Sequence, residues 1–135
     1  MLGEGFHQIF KDEYELKITD KDADETYTHD FARNVKLLFE KEYWGLYNMV
    51  CGGTTGRSEV ATEVVRLLNR EDEIKVTPVD SSYFAEEFFS MRSPSERLIN
   101  KKLDIRQCNI MRDWKICLNE YLNSYYADYL TDVMH

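Results

Sequence analysis

Three short runs of strand-forming residues alternate with helical periodicities along this chain, and that alternation constrains its fold more than any other feature. Tyr14-Glu-Leu-Lys-Ile-Thr19 alternates polar and apolar residues and predicts a strand. Residues 45–51, aromatic and β-branched between glycines, predict a buried strand. Ile74-Lys-Val-Thr-Pro-Val79 predicts a third, with Pro78 marking an edge or an end. Between the first two strands, Thr28 is a cap for a helix whose Phe31, Val35 and Leu38 recur at i, i+4 and i+7. Residues 57–69 predict a helix with Val60, Ala61, Val64, Leu67 and Leu68 on one broad face. A last helix is predicted from near Asn109, with Ile110, Trp114, Cys117, Leu118, Tyr121 and Leu122 inward. Residues 5–11 read as a short helix, residues 20–25 as an acidic loop and residues 52–56 as a turn. Asp80 or Ser81 caps a short segment over residues 83–89. Residues 90–109 read as irregular apart from one helical turn around Lys101–Ile105. The expected fold is α/β, a small single domain of alternating strands and helices over residues 1–135.

Composition narrows the function. A chain of 135 residues is long enough for one domain with a proper core, and 43% hydrophobic residues exclude a fully disordered chain. A net charge of −8 excludes a general nucleic-acid binder, which needs a basic face to displace counterions. No apolar run approaches the roughly 20 residues of a membrane span. No basic stretch followed by an apolar one suggests a signal peptide. Cys51, Cys108 and Cys117 are odd in number and widely spaced, which reads as buried free thiols in a reducing cytoplasm rather than a zinc site.

Local motifs give no catalytic centre. Asp20, Asp22 and Asp24 alternate as in a calcium loop, but that loop's glycine and closing glutamate positions hold Glu25 and Phe31. This reads as a solvated acidic turn. Residues 52–58 join a strand to a helix, where backbone N–H groups and Arg57 suit an anion, although an ordinary tight turn is the simpler reading. Cys51 stands where a Walker loop has its first glycine, and Arg57 stands in place of its lysine. His7, His29 and His135 have no local link to a nucleophile or a metal, and His29 reads as a surface residue. No tyrosine is followed four residues later by lysine, the acid pair of short-chain oxidoreductases, and no GxGxxG turn follows a strand. Arg92, Ser93 and Arg97 lie in an irregular stretch that either presents a fork to phosphate or is simply solvated.

Several segments, in order, resemble dTDP-4-dehydrorhamnose reductases. Thr26-Tyr27-Thr28-His29-Asp30-Phe31-Ala32 is similar to that family's Pro-Thr-Tyr-Thr-x-Asp-Phe/Leu-Ala, with Glu25 where the family has proline. Gly45-Leu-Tyr-Asn-Met-Val followed by Gly53-Thr-Thr-Gly-Arg57-Ser-Glu59-Val-Ala61 resembles Gly-x-Tyr-His/Asn and Thr-Ser-Arg-x-Glu-x-Ala, with Gly56 for serine. Ile74–Val79 with Ser81 resembles an Ile-Thr-Pro-Val-Ser-Ser strand, and Arg92-Ser93-Pro94-Ser95 is a variant of Arg-Pro-x-Asn-Ser. Met111-Arg-Asp-Trp114 and Leu118-x-Glu-Tyr-Leu122 match the family's closing helix. The resemblance is collinear over residues 14–126.

The family belongs to the extended short-chain dehydrogenase/reductases, in which a Rossmann domain precedes a smaller substrate-binding part. The residues matched here are those of the C-terminal part, so the resemblance implies a chain without a complete Rossmann domain. Residues 1–6 are similar to a Leu-Gly-Gly-Gly loop of the family; the alternative reads the first residues as the first Rossmann helix, with Asp20 at the ribose position. By resemblance, Thr26, Tyr27 and Asp30 lie near the sugar-nucleotide or cofactor cleft. Arg57 and Arg92 face the nucleotide phosphates, with Ser93 beside them. The implied function is binding of a dTDP-sugar or related nucleotide sugar, in a family that reduces a 4-keto sugar with NADPH. The implied cofactor is NADP for the family and none for this chain alone, which is therefore expected to be inactive by itself. The expected partner is a second copy or a Rossmann-containing chain, and the other reading is a non-catalytic fragment or a protein-interaction module.

Overall fold

The computed structural model describes residues 14–19, 21–87, 93 and 95–128, and the fold is α/β. The segment at residues 5–11 and Arg92 lie outside the described residues. Strand β1, Tyr14–Thr19, pairs in parallel with β4, Ile74–Val79, from Tyr14 opposite Ile74 to Thr19 opposite Val79. Between them run the short strand β2 (Asp22–Ala23), helix α1 (Thr28–Glu40), β3 (Thr55–Gly56) and helix α2 (Arg57–Leu67). After β4 come a 3-10 turn at Ser81–Phe84, β5 (Ser95–Glu96), α3 (Lys101–Ile105) and α4 (Trp114–Tyr125). Parallel strands cannot be joined by a hairpin, and here α2 makes the return and packs on both β1 and β4. The alternation of β1 and β4 sends Leu16 and Val76 inward and leaves Glu15, Lys17 and Lys75 exposed.

The acidic loop expected at residues 20–25 holds β2, the centre of a small sheet in the order β3-β2-β5. β2 runs antiparallel to β3 and parallel to β5. Pairing with both neighbours gives its backbone ladder partners that a free loop lacks.

The strand expected at residues 45–51 is instead an irregular segment. Its backbone finds partners other than a neighbouring strand. The Asn100 side chain accepts from the Val50 N–H at 2.9 Å and donates to the Val50 carbonyl at 2.7 Å. The Cys51 N–H donates to the Glu25 carbonyl at 2.8 Å, and Gly52 bridges to Asp113. A side-chain amide can satisfy backbone as a strand neighbour does, so an apolar run need not join a sheet. Gly53 has φ +83°, and a Cβ there would lie 2.6 Å from the Asp113 Oδ2 and 2.9 Å from the Trp114 ring, so only glycine fits.

Helix α1 is turned from its expected orientation. Its buried residues are Asp30, Asn34 and Leu38, whereas Phe31 is 42% exposed. Two polar side chains occupy the inner stripe because each is fully partnered: Asn34 donates to the Cys108 carbonyl and accepts from the Ile110 N–H. Tyr27, not Thr28, holds the cap position of α1, with no side-chain cap hydrogen bond. Helix α4 begins at Trp114 rather than near Asn109, because Asp113 caps it by accepting from the Lys115 N–H at 2.9 Å. Ile110 therefore precedes the helix and is exposed, and Tyr121 is also exposed. Helix α2 stops at Leu67, two residues short, and Asn69 takes φ 53°. The 3-10 turn is capped by Asp80 as expected.

Among the described residues, two clusters form the core. Leu38, Leu103 and Cys108 pack with Leu37, Tyr47 and Met49. Cys51, Trp114 and Cys117 pack with Tyr27, Val60 and Leu118. The second cluster is the floor of the site described next.

Candidate functional site

A cleft of about 370 Å³ opens where the start of α1, helix α2 and helix α4 meet. Its floor is Cys51, Val60, Trp114, Cys117 and Leu118. Its walls carry four ring side chains in sequence. Tyr27 and His29 have ring centroids 5.0 Å apart, His29 and Tyr125 stack at 6.1 Å, and Tyr125 and Tyr121 lie at 5.3 Å. His29 Nε2 and the Tyr125 hydroxyl share a hydrogen bond of 2.6 Å, which ties the first turn of α1 to the end of α4. Glu25 and Thr26 complete the rim.

Helical spacing explains this wall. Trp114, Cys117, Leu118, Tyr121 and Tyr125 recur at i, i+3, i+4, i+7 and i+11 on α4, so they share one face. The wall thus comes from the same periodicity that predicts a core face; its outer end is left open and becomes a cleft.

Beneath the cleft lies an ionic cluster. Asp30, 1% exposed, accepts from the Arg112 backbone N–H at 3.0 Å and from its guanidinium at 2.8 Å, and also pairs with Arg33. Arg112 reaches on to Glu120 at 2.7 Å. Burial pushes the Asp30 carboxyl's pKa up, but the Arg112 hydrogen bonds outweigh that and hold it well below the usual carboxylate range. Hydrogen bonds to Glu120 and Asp30 push Arg112 well above its ordinary value. Burial, followed by the hydrogen bond to Glu120, raises the Tyr27 phenol. Cys117 lies 3.3 Å from Asp30 and 3.8 Å from Cys51, and burial raises both thiols, so they stay protonated.

The residues expected at the site fall into two groups. Thr26 and Tyr27 line the cleft. Asp30 sits under it, committed to Arg112. Arg57 and Ser93 lie elsewhere, at one end of the small sheet. Gly56 is opposite Asp22, Asp22 is opposite Ser95, and the Arg57 N–H donates to the Lys21 carbonyl at 3.2 Å. Arg57, Lys21 and Ser93 therefore flank the same end of β3-β2-β5. Ser93 is exposed, and its hydroxyl donates to the Ser95 carbonyl at 2.7 Å. From Asp22 to Thr26 the chain reaches no more than roughly 14 Å, so this end and the cleft are neighbours. Sequence reasoning missed His29, Tyr125, Arg112 and Glu120 as neighbours of the site. The available signal was the polar pair Asp30 and Asn34 at helical spacing, which demanded partners from elsewhere in the chain.

Among the described residues that line the cleft there is no lysine or arginine. A diphosphate therefore finds no counter-charge inside it, and the cleft residues do not fit NADP as its holder. No group of three or more His, Cys, Asp or Glu among the described residues could hold a metal ion. No helix among them is long and apolar enough to cross a membrane.

This architecture defines the class: an α/β segment with two parallel strands, a crossover helix that packs on both, and a cleft where that helix meets the start of α1 and the closing helix. The chain resembles solved dTDP-4-dehydrorhamnose reductases over most of its length. The enzyme of Clostridium acetobutylicum matches with a TM-score of 0.78 and 27% identity, over 90% of this chain. The enzyme of Yersinia enterocolitica matches over 92% with a TM-score of 0.73 and 22% identity. That of Bacillus anthracis, solved in complex with NADP, matches over 90% with a TM-score of 0.72 and 19% identity; at such identities these two show the fold alone. The chain spans 42% of the length of each of these structures. No protein-family model and no curated protein matches it.

Proposed function

We propose that the chain is a nucleotide-sugar-binding part related to dTDP-4-dehydrorhamnose reductase, and that it does not carry out reduction alone. The observation that carries this is the match to the Clostridium acetobutylicum structure over 90% of this chain but 42% of that one. In this reading the diphosphate lies along the end of the small sheet, where Arg57 offers a planar fork and Arg92 and Ser93 follow in the chain. The uncharged part of the ligand extends toward Thr26 and Tyr27. Asp30 acts as a positioning residue, fixing α1 against Arg112. Reduction of a ketone needs a hydride donor and an acid at the carbonyl oxygen, and the chain has no Tyr-x-x-x-Lys pair for the second task. A Rossmann-containing chain is the partner of choice. The two-stranded parallel sheet supports this, because parallel sheets are normally larger and covered on both faces. Free, buried cysteines suit a cytoplasmic setting.

The test is thermal unfolding with added dTDP. Stabilisation that grows with the logarithm of dTDP concentration is expected, and it should vanish in Arg57→Ala, which keeps the unliganded melting temperature. An unmoved melting temperature at millimolar dTDP rules the reading out.

A second reading, a protein-interaction module, is favoured by one surface. Leu46 is 89% exposed, Ile99 69% and Ile105 72%, and the three line one shallow hollow. Light scattering tests it: self-association that is lost in Leu46→Lys supports it, and a strict monomer counts against a homodimer.

A further inference from the structure

We infer that the aromatic cleft binds a small organic ammonium ion, with the Glu25 carboxylate as its counter-charge. This goes beyond the nucleotide-sugar reading and does not depend on it. Tyr27, His29, Tyr125 and Tyr121 form an unbroken row of rings along the wall, with successive centroids 5.0, 6.1 and 5.3 Å apart. The faces of such rings carry negative charge density and attract a cation that sheds its water. Trp114 closes the floor, and about 370 Å³ suits a small ligand.

Charge decides what kind of ligand enters. Glu25 is half-buried on the rim, and no described side chain pairs with its carboxylate. The Arg112 guanidinium lies 6.0 Å from the Tyr27 ring, but Asp30 and Glu120 neutralise it at 2.8 and 2.7 Å, and Arg33, beside the outer side of the wall, pairs with Asp30. Burial does most to raise the Cys51 thiol's pKa, and the charges of Asp30 and Glu25 add to the rise, so the field of Glu25 reaches the floor. The buried thiols remain neutral and add no charge. Lys115 lies 5.5 Å from the Trp114 ring but is not among the described residues that line the cleft. Among those residues an anion would therefore meet a carboxylate and no cation, a neutral ligand would gain only from apolar contact, and an ammonium ion gains from both the rings and Glu25. The chain's net charge of −8 works in the same direction at longer range.

The experiment is an NMR titration of the full chain with choline and with 3,3-dimethylbutanol, which has the same shape without the charge. Choline should shift the Trp114 indole and Tyr125 signals and bind about tenfold more tightly than the alcohol. Glu25→Gln should weaken choline at least about fivefold and leave the alcohol unchanged. Tyr125→Leu should weaken choline as well, which keeps the test open if one variant folds poorly. Equal affinity for choline and the alcohol, an unchanged choline affinity in a folded Glu25→Gln variant, or no shift at the cleft with tens of millimolar choline would each overturn the proposal.

Discussion

Asp30 is the residue on which the interior around the cleft turns. A carboxylate that is 1% exposed is tolerable only while its oxygens are fully bonded, and Arg112 supplies both a fork and a backbone N–H. Arg112→Ala leaves that charge with Arg33, the residue-112 backbone N–H and the Cys117 thiol, and should cost about 3 kcal/mol in urea unfolding, the lower end for a broken buried pair because those partners remain and Arg112 is itself 33% exposed. Arg112→Lys keeps the charge without the fork and should recover only part of that loss. The sign with pH follows from the depressed folded-state pKa. The pair's contribution is fully present above the ordinary aspartate value near 4 and is lost as pH falls from there toward the lower folded value. Acid unfolding followed by circular dichroism should therefore be less steep in Asp30→Asn than in the parent. An identical acid limb would show that Asp30 is not the group responsible.

Among the elements, those whose sequence signal was local were legible and those held by distant side chains were not. β1 and β4 needed only their own alternation, and α3 fell on the expected turn at Lys101–Ile105. Residues 45–51 carried the composition of a strand, yet Asn100, 50 positions beyond Val50, supplies the bonds a strand neighbour would. No reading of periodicity contains that contact. The orientation of α1 failed for a related reason: the apolar stripe through Phe31 ranks above Asp30 and Asn34 until Arg112, Cys108 and Ile110 are known to satisfy them. Asn100→Ala should unsatisfy both backbone groups of Val50 and cost about 2–3 kcal/mol. Hydrogen exchange is the direct check, because the Val50 amide should lose its protection while amides inside α2 keep theirs. Equal protection at Val50 in both proteins would show that the amide clamp contributes nothing.

Viewed as a whole, the molecule separates two things that the motifs alone ran together. Thr26 and Tyr27 belong to an aromatic cleft whose described lining holds no lysine or arginine, whereas Arg57 and Ser93 belong to the end of a small sheet. The motif order was enough to suggest the reductase likeness, and the solved structures match it over 90% of this chain or more. The aromatic wall was not legible, because it needs the first turn of α1 brought against the end of α4, where His29 and Tyr125 share a hydrogen bond. The central proposal is that this chain by itself binds a nucleotide sugar and does not bind NADPH. Paired calorimetric titrations of the purified chain with dTDP and with NADPH test it most directly. The account predicts saturable heat with dTDP and none with NADPH; tight binding of NADPH, or no binding of dTDP, would contradict it.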